Sequence, residues 1–273
     1  MKILKRLCFC LLFLFLYLPI FVLVIFSFNS SKSRSVFSGF SLKWYINLFG
    51  DKAILSSLLN TCFVAVLASL LATVIGTMAA VGIFNSKKYL KNLLMYLNNV
   101  TLINPEIITG VSLMVFFVFL FNMFKFLRLG LLTLIIAHTT ICIPYVVLSV
   151  LPRLYNLDPY LKYAAKDLGC TPIKAFFKVT LFSILPGIIS GFIMSFTISL
   201  DDFIISYFTG GTTQVLSTLI YSMTKKIINP EVNALSTILL LIIFLLIFVV
   251  NVLNRKDLKK STSTKTDTEI SVR

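Results

Sequence analysis

The sequence predicts an all-α polytopic membrane protein with six transmembrane helices, on two observations. The chain of 273 residues is 58% hydrophobic and only 13% charged, whereas soluble domains are nearer half apolar and about a quarter charged. The apolar residues are concentrated in runs long enough to cross a hydrocarbon core, which takes roughly 20 residues. The six runs are Leu7–Phe28, Ile54–Phe84, Pro105–Phe124, Leu129–Val150, Val179–Phe208 and Val232–Leu253.

The first run has the basic start of a signal peptide, because Lys2, Lys5 and Arg6 precede it. Its apolar stretch is too long for a signal-peptide core and no small-x-small cleavage site follows, so we expect a retained helix. The second and fifth runs exceed the length of one crossing, which predicts tilt or extension beyond the bilayer. We expect a single membrane domain over residues 1–253, then a disordered Ser/Thr/Lys-rich cytoplasmic tail over residues 254–273.

The basic residues give an orientation. The chain carries 25 Lys and Arg against 10 Asp and Glu, a net charge of +15. Such a balance also occurs in nucleic-acid-binding proteins, but in a membrane protein basic residues collect in cytoplasmic loops. Most of them fall on one side when both chain ends are cytoplasmic. We therefore expect that orientation, contact with the lipid bilayer and no nucleic acid partner.

Residues that could form a metal site or a catalytic centre are scattered. The five cysteines have no metal-ligand spacing and no disulfide framework, and the only histidine, His138, cannot build a metal site alone. We interpret His138 and Pro144 as packing and kink residues of the fourth run. The sequence offers no set of nucleophile, base and orienting residue, and no G-x-x-x-x-G-K-[ST] phosphate loop. We expect no enzyme activity, no metal and no cofactor, with any ATP bound by another subunit.

The segment between the fourth and fifth runs, residues 151–178, predicts a short cytoplasmic helix ending in a sharp corner. Asp158 is a good N-cap and Pro159 suits the first helical position. Gly169 stops the helix as the residue after its C-cap. Thr171-Pro172 repeats the start signal and begins the next helix.

The short helix has one narrow apolar face. Leu161, Ala164, Ala165 and Leu168 fall at i, i+3, i+4 and i+7. A helix lying on the lipid surface is one interpretation, but alanines bury little area and anchor poorly in lipid. Small side chains suit close contact with another protein, which is the interpretation we favour.

This loop resembles the "EAA" loop of permease subunits of ATP-binding-cassette importers. Tyr163-Ala164-Ala165, three residues and then Gly169 match the family frame. The family's later I-x-L-P element falls here on Val179, Leu181 and Phe182. The sequence departs from the family at Tyr163, where the family has Glu, and at Phe182, where it has Pro.

A second resemblance is to the C-type permeases of spermidine/putrescine importers. It is carried by the strings AAKDLG, SFTISLDDFIISYFTGG, IYSM and NPEVNALSTILL, and by Trp44-Tyr45 and Asn104-Pro105-Glu106. The resemblance implies a type I importer transmembrane domain in the cytoplasmic (inner) membrane. The partners it implies are a second, homologous permease, two copies of a cytoplasmic ATP-binding subunit and an extracytoplasmic polyamine-binding protein. It also implies that Tyr163, Ala164, Ala165, Gly169, Leu161 and Leu168 couple the loop to the ATPase.

Two adjacent acids, Asp201 and Asp202, lie deep in the fifth run, where a charge costs about 2.5–3.5 kcal/mol. On a continuous helix Asp202 shares one face with the serines that precede and follow it, which are Ser195, Ser199 and Ser206. We predict that this stripe lines a substrate path, and that Asp202→Asn reduces uptake more than Asp201→Asn. Asp201 then faces a partner permease or the same path at another depth.

The alternative is a packing stripe of small residues, Gly187, Gly191, Ser195 and Ser199, with the two acids in a buried network. In the second run a similar face of small residues is a candidate interface between permeases. It consists of Ala65, Ser69, Ala72, Gly76 and Ala80.

Two further residues are candidates for the path. Trp44 is either an interfacial anchor or a cation–π partner for an ammonium group. Glu231 follows Asn229-Pro230, so it is either a favourable helix start or a substrate contact on the outer side. Glu106 has the same local context and the same two interpretations.

Three other functions compete with an ATP-driven polyamine importer. A permease for another small solute would have the same loop. An ion-coupled secondary transporter would often show internal repeats, and the sequence has none beyond the two Asn-Pro-Glu tripeptides. A membrane enzyme is disfavoured because the catalytic set is missing.

Overall fold

The computed structural model describes residues 2–31, 36–125, 127–226, 231–242 and 244–245. Within those ranges the chain is almost entirely helical, and the extended backbone amounts to one bridge between Asn29 and Phe40. The helices are α1 Lys2–Ser27, α2 Lys43–Gly50, α3 Lys52–Asn85, α4 Lys88–Ile103, α5 Glu106–Phe124, α6 Leu131–Tyr155, α7 Pro159–Asp167, α8 Pro172–Ala175, α9 Leu181–Asp201, α10 Ile204–Thr209, α11 Leu216–Lys226 and α12 Glu231–Ile242.

In the described ranges, five helical segments are long and apolar enough to cross a membrane. They are Arg6–Ser27, Lys52–Asn85, Glu106–Phe124, Leu131–Tyr155 and Pro172–Asp201. The prediction of membrane-spanning helices is therefore confirmed for the first five runs. The start of the sixth run is helical in α12, but the rest of that run and the tail over 254–273 lie outside the described residues.

The helix that leads into the fifth span contains a wider turn. Pro172 to Asp201 is continuous, and Phe176–Thr180 forms a π-helical turn between α8 and α9. The fifth run predicted one helix to Phe208, but α9 ends at Asp201. Asp202 has φ −63° and ψ 122°, an extended conformation that no helix can continue through.

The described residues form two compact units. One unit comprises the described residues up to Leu58 and from Thr218 onward. Its loop after α1 is built around Asn29, whose side chain accepts from the Ser38 N–H at 2.9 Å and donates to the Val36 carbonyl at 2.8 Å. The Trp44 indole N–H donates to the Asn29 carbonyl at 2.6 Å and fastens α2 to this loop.

The second unit comprises the described residues between Leu59 and Ser217, and α6 is its most buried span. Small residues let the neighbouring helices approach α6 closely. A Cβ added at Gly76 of α3 would lie 2.7 Å from the Val146 Cβ, and one at Gly187 of α9 would lie 3.0 Å from the Ser149 carbonyl oxygen. These contacts join α3, α6 and α9 in one core.

The small-residue faces of α3 and α9 therefore have partners inside the chain. The α3 face, predicted as an interface with a second permease, is buried within this unit, with Ala65, Ala72 and Ala80 fully covered. That prediction was wrong, because the same spacing of small residues suits packing within a chain. The glycine-serine stripe of α9 is likewise buried and packs on α6.

Candidate functional site

The candidate site is the break between α9 and α10, where the two predicted acids lie. The Asp202 N–H still donates to the Ile198 carbonyl at 3.1 Å, so Asp202 closes the last turn of α9. Asp201 is exposed. The Asp202 side chain is only 5% exposed. The break thus separates two adjacent carboxylates into different environments.

The Asp202 carboxylate caps the first turn of α10. One oxygen accepts from the Ile205 N–H at 3.3 Å, and the other accepts from the Ser206 N–H at 2.9 Å. The Asp202 carbonyl also accepts from the Ser217 hydroxyl at 2.8 Å. Capping satisfies backbone donors that a helix start leaves without partners, so the carboxylate fixes where α10 begins.

His138 of α6 reaches both sides of the break. Its Nδ1 is 2.7 Å from the Ser199 hydroxyl on α9, and its Nε2 is 2.9 Å from the Ser206 hydroxyl on α10. The same Nε2 lies 3.5 Å from the Asp202 Oδ2, and the histidine side chain is only 2% exposed. One side chain therefore contacts α9, the break and α10 together.

Helix α10 has further contacts with α5 and α6. The Thr133 hydroxyl donates to the Thr209 carbonyl at 2.9 Å. A Cβ added at Gly110 of α5 would lie 2.9 Å from the Phe208 ring, so α5 and α10 are in close contact there. Ile205 is fully buried in a cluster with Phe117 and Ala137. The six residues of α10 are thus enclosed on several sides.

The predicted serine stripe is partly brought together. Ser199 and Ser206 meet the Asp202 carboxylate around His138, although a continuous helix is not what joins them. Ser195 is fully buried one turn earlier, and its hydroxyl has no partner among the described residues. Sequence reasoning missed His138, although its polar ring in an apolar run was a signal for a buried hydrogen-bond network.

The two other path candidates lie in the first unit. Trp44 is 3% exposed, and its indole N–H is used by the Asn29 carbonyl. The Lys43 ammonium lies 5.8 Å from the Trp44 ring centroid, within cation–π range. Glu231 is partly buried at the start of α12. The surroundings of Trp44 and Glu231 leave a role in binding substrate untested for both residues.

The segment between α6 and α9 has the structure that its sequence predicts. The Asp158 carboxylate accepts from the Tyr160 N–H at 2.9 Å and starts α7. Gly169 has φ +77°, and the Cys170 N–H reaches back to the Ala165 carbonyl at 3.0 Å. The Thr171 hydroxyl accepts from the Lys174 N–H at 3.4 Å and starts α8. The predicted corner between two capped helices is confirmed.

The apolar face of α7 has a buried part and an exposed part. Ala165 is 5% exposed, and Ala164 is exposed. Leu161 is 43% exposed, and Leu168, directly after α7, is 85% exposed. The Tyr163 side chain lies outside the described residues. An exposed leucine at a fixed corner is a suitable contact for another protein.

Comparisons with known proteins agree with this architecture. Residues 72–256 match the family model "Binding-protein-dependent transport system inner membrane component". The putrescine transport system permease protein PotI of Escherichia coli K12 is 39% identical over 213 residues, covering 77% of this chain and 76% of PotI. The spermidine/putrescine transport system permease protein PotC of Haemophilus influenzae is 33% identical over 222 residues, covering 81% of this chain and 84% of PotC.

Solved structures share the fold. A bacterial ABC transporter involved in the import of the acidic polysaccharide alginate superimposes with a TM-score of 0.73 at 16% identity, covering 93% of this chain and 95% of that one. The MetNI methionine ABC transporter gives a TM-score of 0.60 at 18% identity, covering 75% of this chain and 98% of that one. At these identities the likeness establishes the fold alone.

Proposed function

Because this chain belongs to the family of binding-protein-dependent transport system inner membrane components, we propose that it is the permease subunit of an ATP-driven importer for polyamines. Its substrates are putrescine or spermidine, carried across the cytoplasmic membrane with both chain ends on the cytoplasmic side. The observation that carries the substrate class is similarity to PotI and PotC over about three quarters of the chain.

The proposed partners follow from the family and from the loop. A separate ATP-binding subunit docks on α7 and Leu168 and hydrolyses the ATP. A second permease completes the membrane part, and an extracytoplasmic binding protein delivers the polyamine. Support for the docking is the exposed leucine beside a rigid corner with two capped helices.

The proposed substrate path runs past the α9–α10 break. Carboxylates and hydroxyls can replace the water around an ammonium group, and intramembrane acids are usually functional. Asp201 is the exposed carboxylate at this break. We assign to the same path Asp202, Ser195, Ser199 and Ser206, whose side chains are buried. Trp44 and Glu231 stay predictions for the path.

The first test is uptake of labelled putrescine and spermidine in cells with and without the gene. We expect deletion to abolish the uptake that this system provides, and reintroduction of the gene to restore it. Uptake of an unrelated amino acid serves as the control for general membrane damage. Unchanged polyamine uptake would leave the permease fold intact but would assign it to another small solute.

Energy coupling separates the importer from an ion-coupled transporter. In vesicles that contain the complete transporter, we expect uptake to require enclosed hydrolysable ATP and to persist when proton and sodium gradients are abolished. Uptake driven by an ion gradient without ATP would favour a secondary transporter.

A matched pair of glycine substitutions tests the loop corner. An added Cβ has open space at both Gly169 and Gly82, but only Gly169 has a positive φ. We expect Gly169→Ala to strain the corner by about 1–2 kcal/mol and to lower uptake severalfold, measured per transporter in the membrane. Gly82→Ala lies within α3 and should leave uptake unchanged. Equal uptake by both variants would show that the corner's geometry does not matter for coupling.

A further inference from the structure

We propose that His138 is a positioning residue for transport, which ties α6 to both sides of the α9–α10 break and so fixes the direction of the Asp201 carboxylate. This inference rests on the proposed function, since it names a residue that holds the proposed substrate path in its geometry. The geometry that carries it is the pair of hydrogen bonds from one buried ring to Ser199 and Ser206.

Both nitrogens of the ring are used across the break. A neutral imidazole donates from one nitrogen and accepts at the other, and a hydroxyl can take either role. When Nε2 carries the hydrogen, the ring points it toward the Ser206 hydroxyl and the Asp202 carboxylate, while Nδ1 accepts from Ser199. This assignment satisfies every contact at 2.7, 2.9 and 3.5 Å.

The break needs such a tie because α10 is short. Isolated helices below about 12 residues are marginal even in favourable sequences, and α10 has 6 residues. Its direction is therefore set by packing on α5 and α6 and by three polar contacts, which are the Asp202 cap, the Thr133 bond and His138. Of these three contacts, His138 alone bonds side chains on both sides of the break.

Asp201 depends on this arrangement although it does not contact His138. It is the last residue of α9, two positions after Ser199 and immediately before the extended Asp202. Binding groups generally have to be held within about 0.5 Å of their productive geometry. If the break were less well fixed, the Asp201 carboxylate would point in a wider range of directions.

A network that served only stability would give a different result. In that case a variant of His138 would lower the amount of folded transporter, and each surviving transporter would work normally. A positioning residue instead changes the transport constants of folded transporters. The experiment therefore measures KM and Vmax for putrescine per assembled complex, in parallel with the amount of complex.

The variants are His138→Leu, His138→Gln and the matched control Thr139→Val. Thr139 is a buried neighbour on α6 whose hydroxyl, among the residues that the structure describes, bonds its own helix at the Ile135 carbonyl. We expect about a tenfold lower Vmax/KM for His138→Leu, about threefold for His138→Gln, whose amide replaces one bond, and less than twofold for the control. Wild-type constants in His138→Leu would overturn the proposal.

A second readout does not depend on the substrate. In a background where Cys8, Cys10, Cys62 and Cys170 are replaced by serine, Asp201→Cys adds one exposed thiol, and the remaining native cysteine, Cys142, is buried. We expect the labelling rate of Asp201→Cys with a thiol reagent to change about threefold or more when Ser199→Ala and Ser206→Ala remove the two hydroxyls that bond His138. This combination keeps the ring, so it remains informative if His138→Leu does not assemble.

The two readouts separate the possible failures. If wild-type protein carries no polyamine but the labelling rate responds to the serine substitutions, the proposed substrate is wrong and the positioning role stands. An unchanged labelling rate with wild-type transport constants in the serine variants would overturn the positioning role. Thr139→Val should leave the labelling rate of Asp201→Cys unchanged.

Discussion

Asp202→Ala is expected to lower both the amount of folded transporter and the uptake of each transporter by about tenfold or more. The substitution removes two acceptors for backbone N–H groups at the start of α10. Loss of a cap of this kind costs about 1–2 kcal/mol, and buried donors without partners add to that cost. His138 also loses the carboxylate beside its Nε2.

Asp201→Asn provides the contrast within the same pair. Its side chain is exposed, so the change should leave the amount of folded transporter unaltered and should raise KM for a polycation. Asp202→Asn should lower the amount of folded transporter less than Asp202→Ala does, because an amide retains one acceptor oxygen for the two N–H groups. Immunodetection in membranes together with uptake kinetics checks all three variants. Normal folding of Asp202→Ala would contradict the capping role.

Leu168→Asp is expected to abolish ATP-driven uptake while the chain still inserts and folds. The leucine is 85% exposed directly after α7, so its own chain loses almost no packing. A carboxylate in the middle of a docked protein surface would have to lose its water, which costs several kcal/mol without a partner. Coupling to the ATP-binding subunit should therefore fail.

The control for this prediction is Leu168→Met, which keeps the volume and apolar character of the side chain. Copurification of the ATP-binding subunit with the tagged permease measures docking, and vesicle uptake measures coupling. We expect Leu168→Met to behave as wild type in both assays. Copurification and uptake that survive Leu168→Asp would move the contact surface away from this end of α7.

The sequence was most informative where local signals agree. The two cap-plus-proline starts and the glycine stop predicted α7, the corner and α8, because caps and positive φ act within a few residues. Spans were predictable because hydrocarbon thickness imposes a length on each apolar run. Helices α2, α4 and α11 were not predicted, since short amphipathic segments lack such a length signal.

The break at Asp202 could not be predicted from the same rules. The apolar run continues through it without glycine or proline between Asp201 and Thr209, so periodicity favours one helix. The residues on both sides of the break have tertiary partners, among them His138, which lies 64 positions earlier in the sequence than Asp202. A hydrogen bond to a residue far away in the sequence produces no periodic pattern. The apolar run around His138 therefore indicates only a packing role for it.

The small-residue face of α3 was misassigned for a related reason. Spacing shows that another helix can approach closely, but it does not say whether that helix belongs to the same chain. Here the partner is α6, with Val146 against Gly76.

The π turn at Phe176–Thr180 has a consequence for changes in chain length. A π turn contains one residue more than an α turn, and the extra residue is accommodated within that single turn of the helix. Deleting one residue within this turn would convert it to regular helix and leave the faces of α8 and α9 in phase. The same deletion between Gly187 and Ser199 would rotate the small-residue stripe by about 100° away from α6. Homologous chains can therefore differ by one residue at Phe176–Thr180 without losing the core, but not within α9.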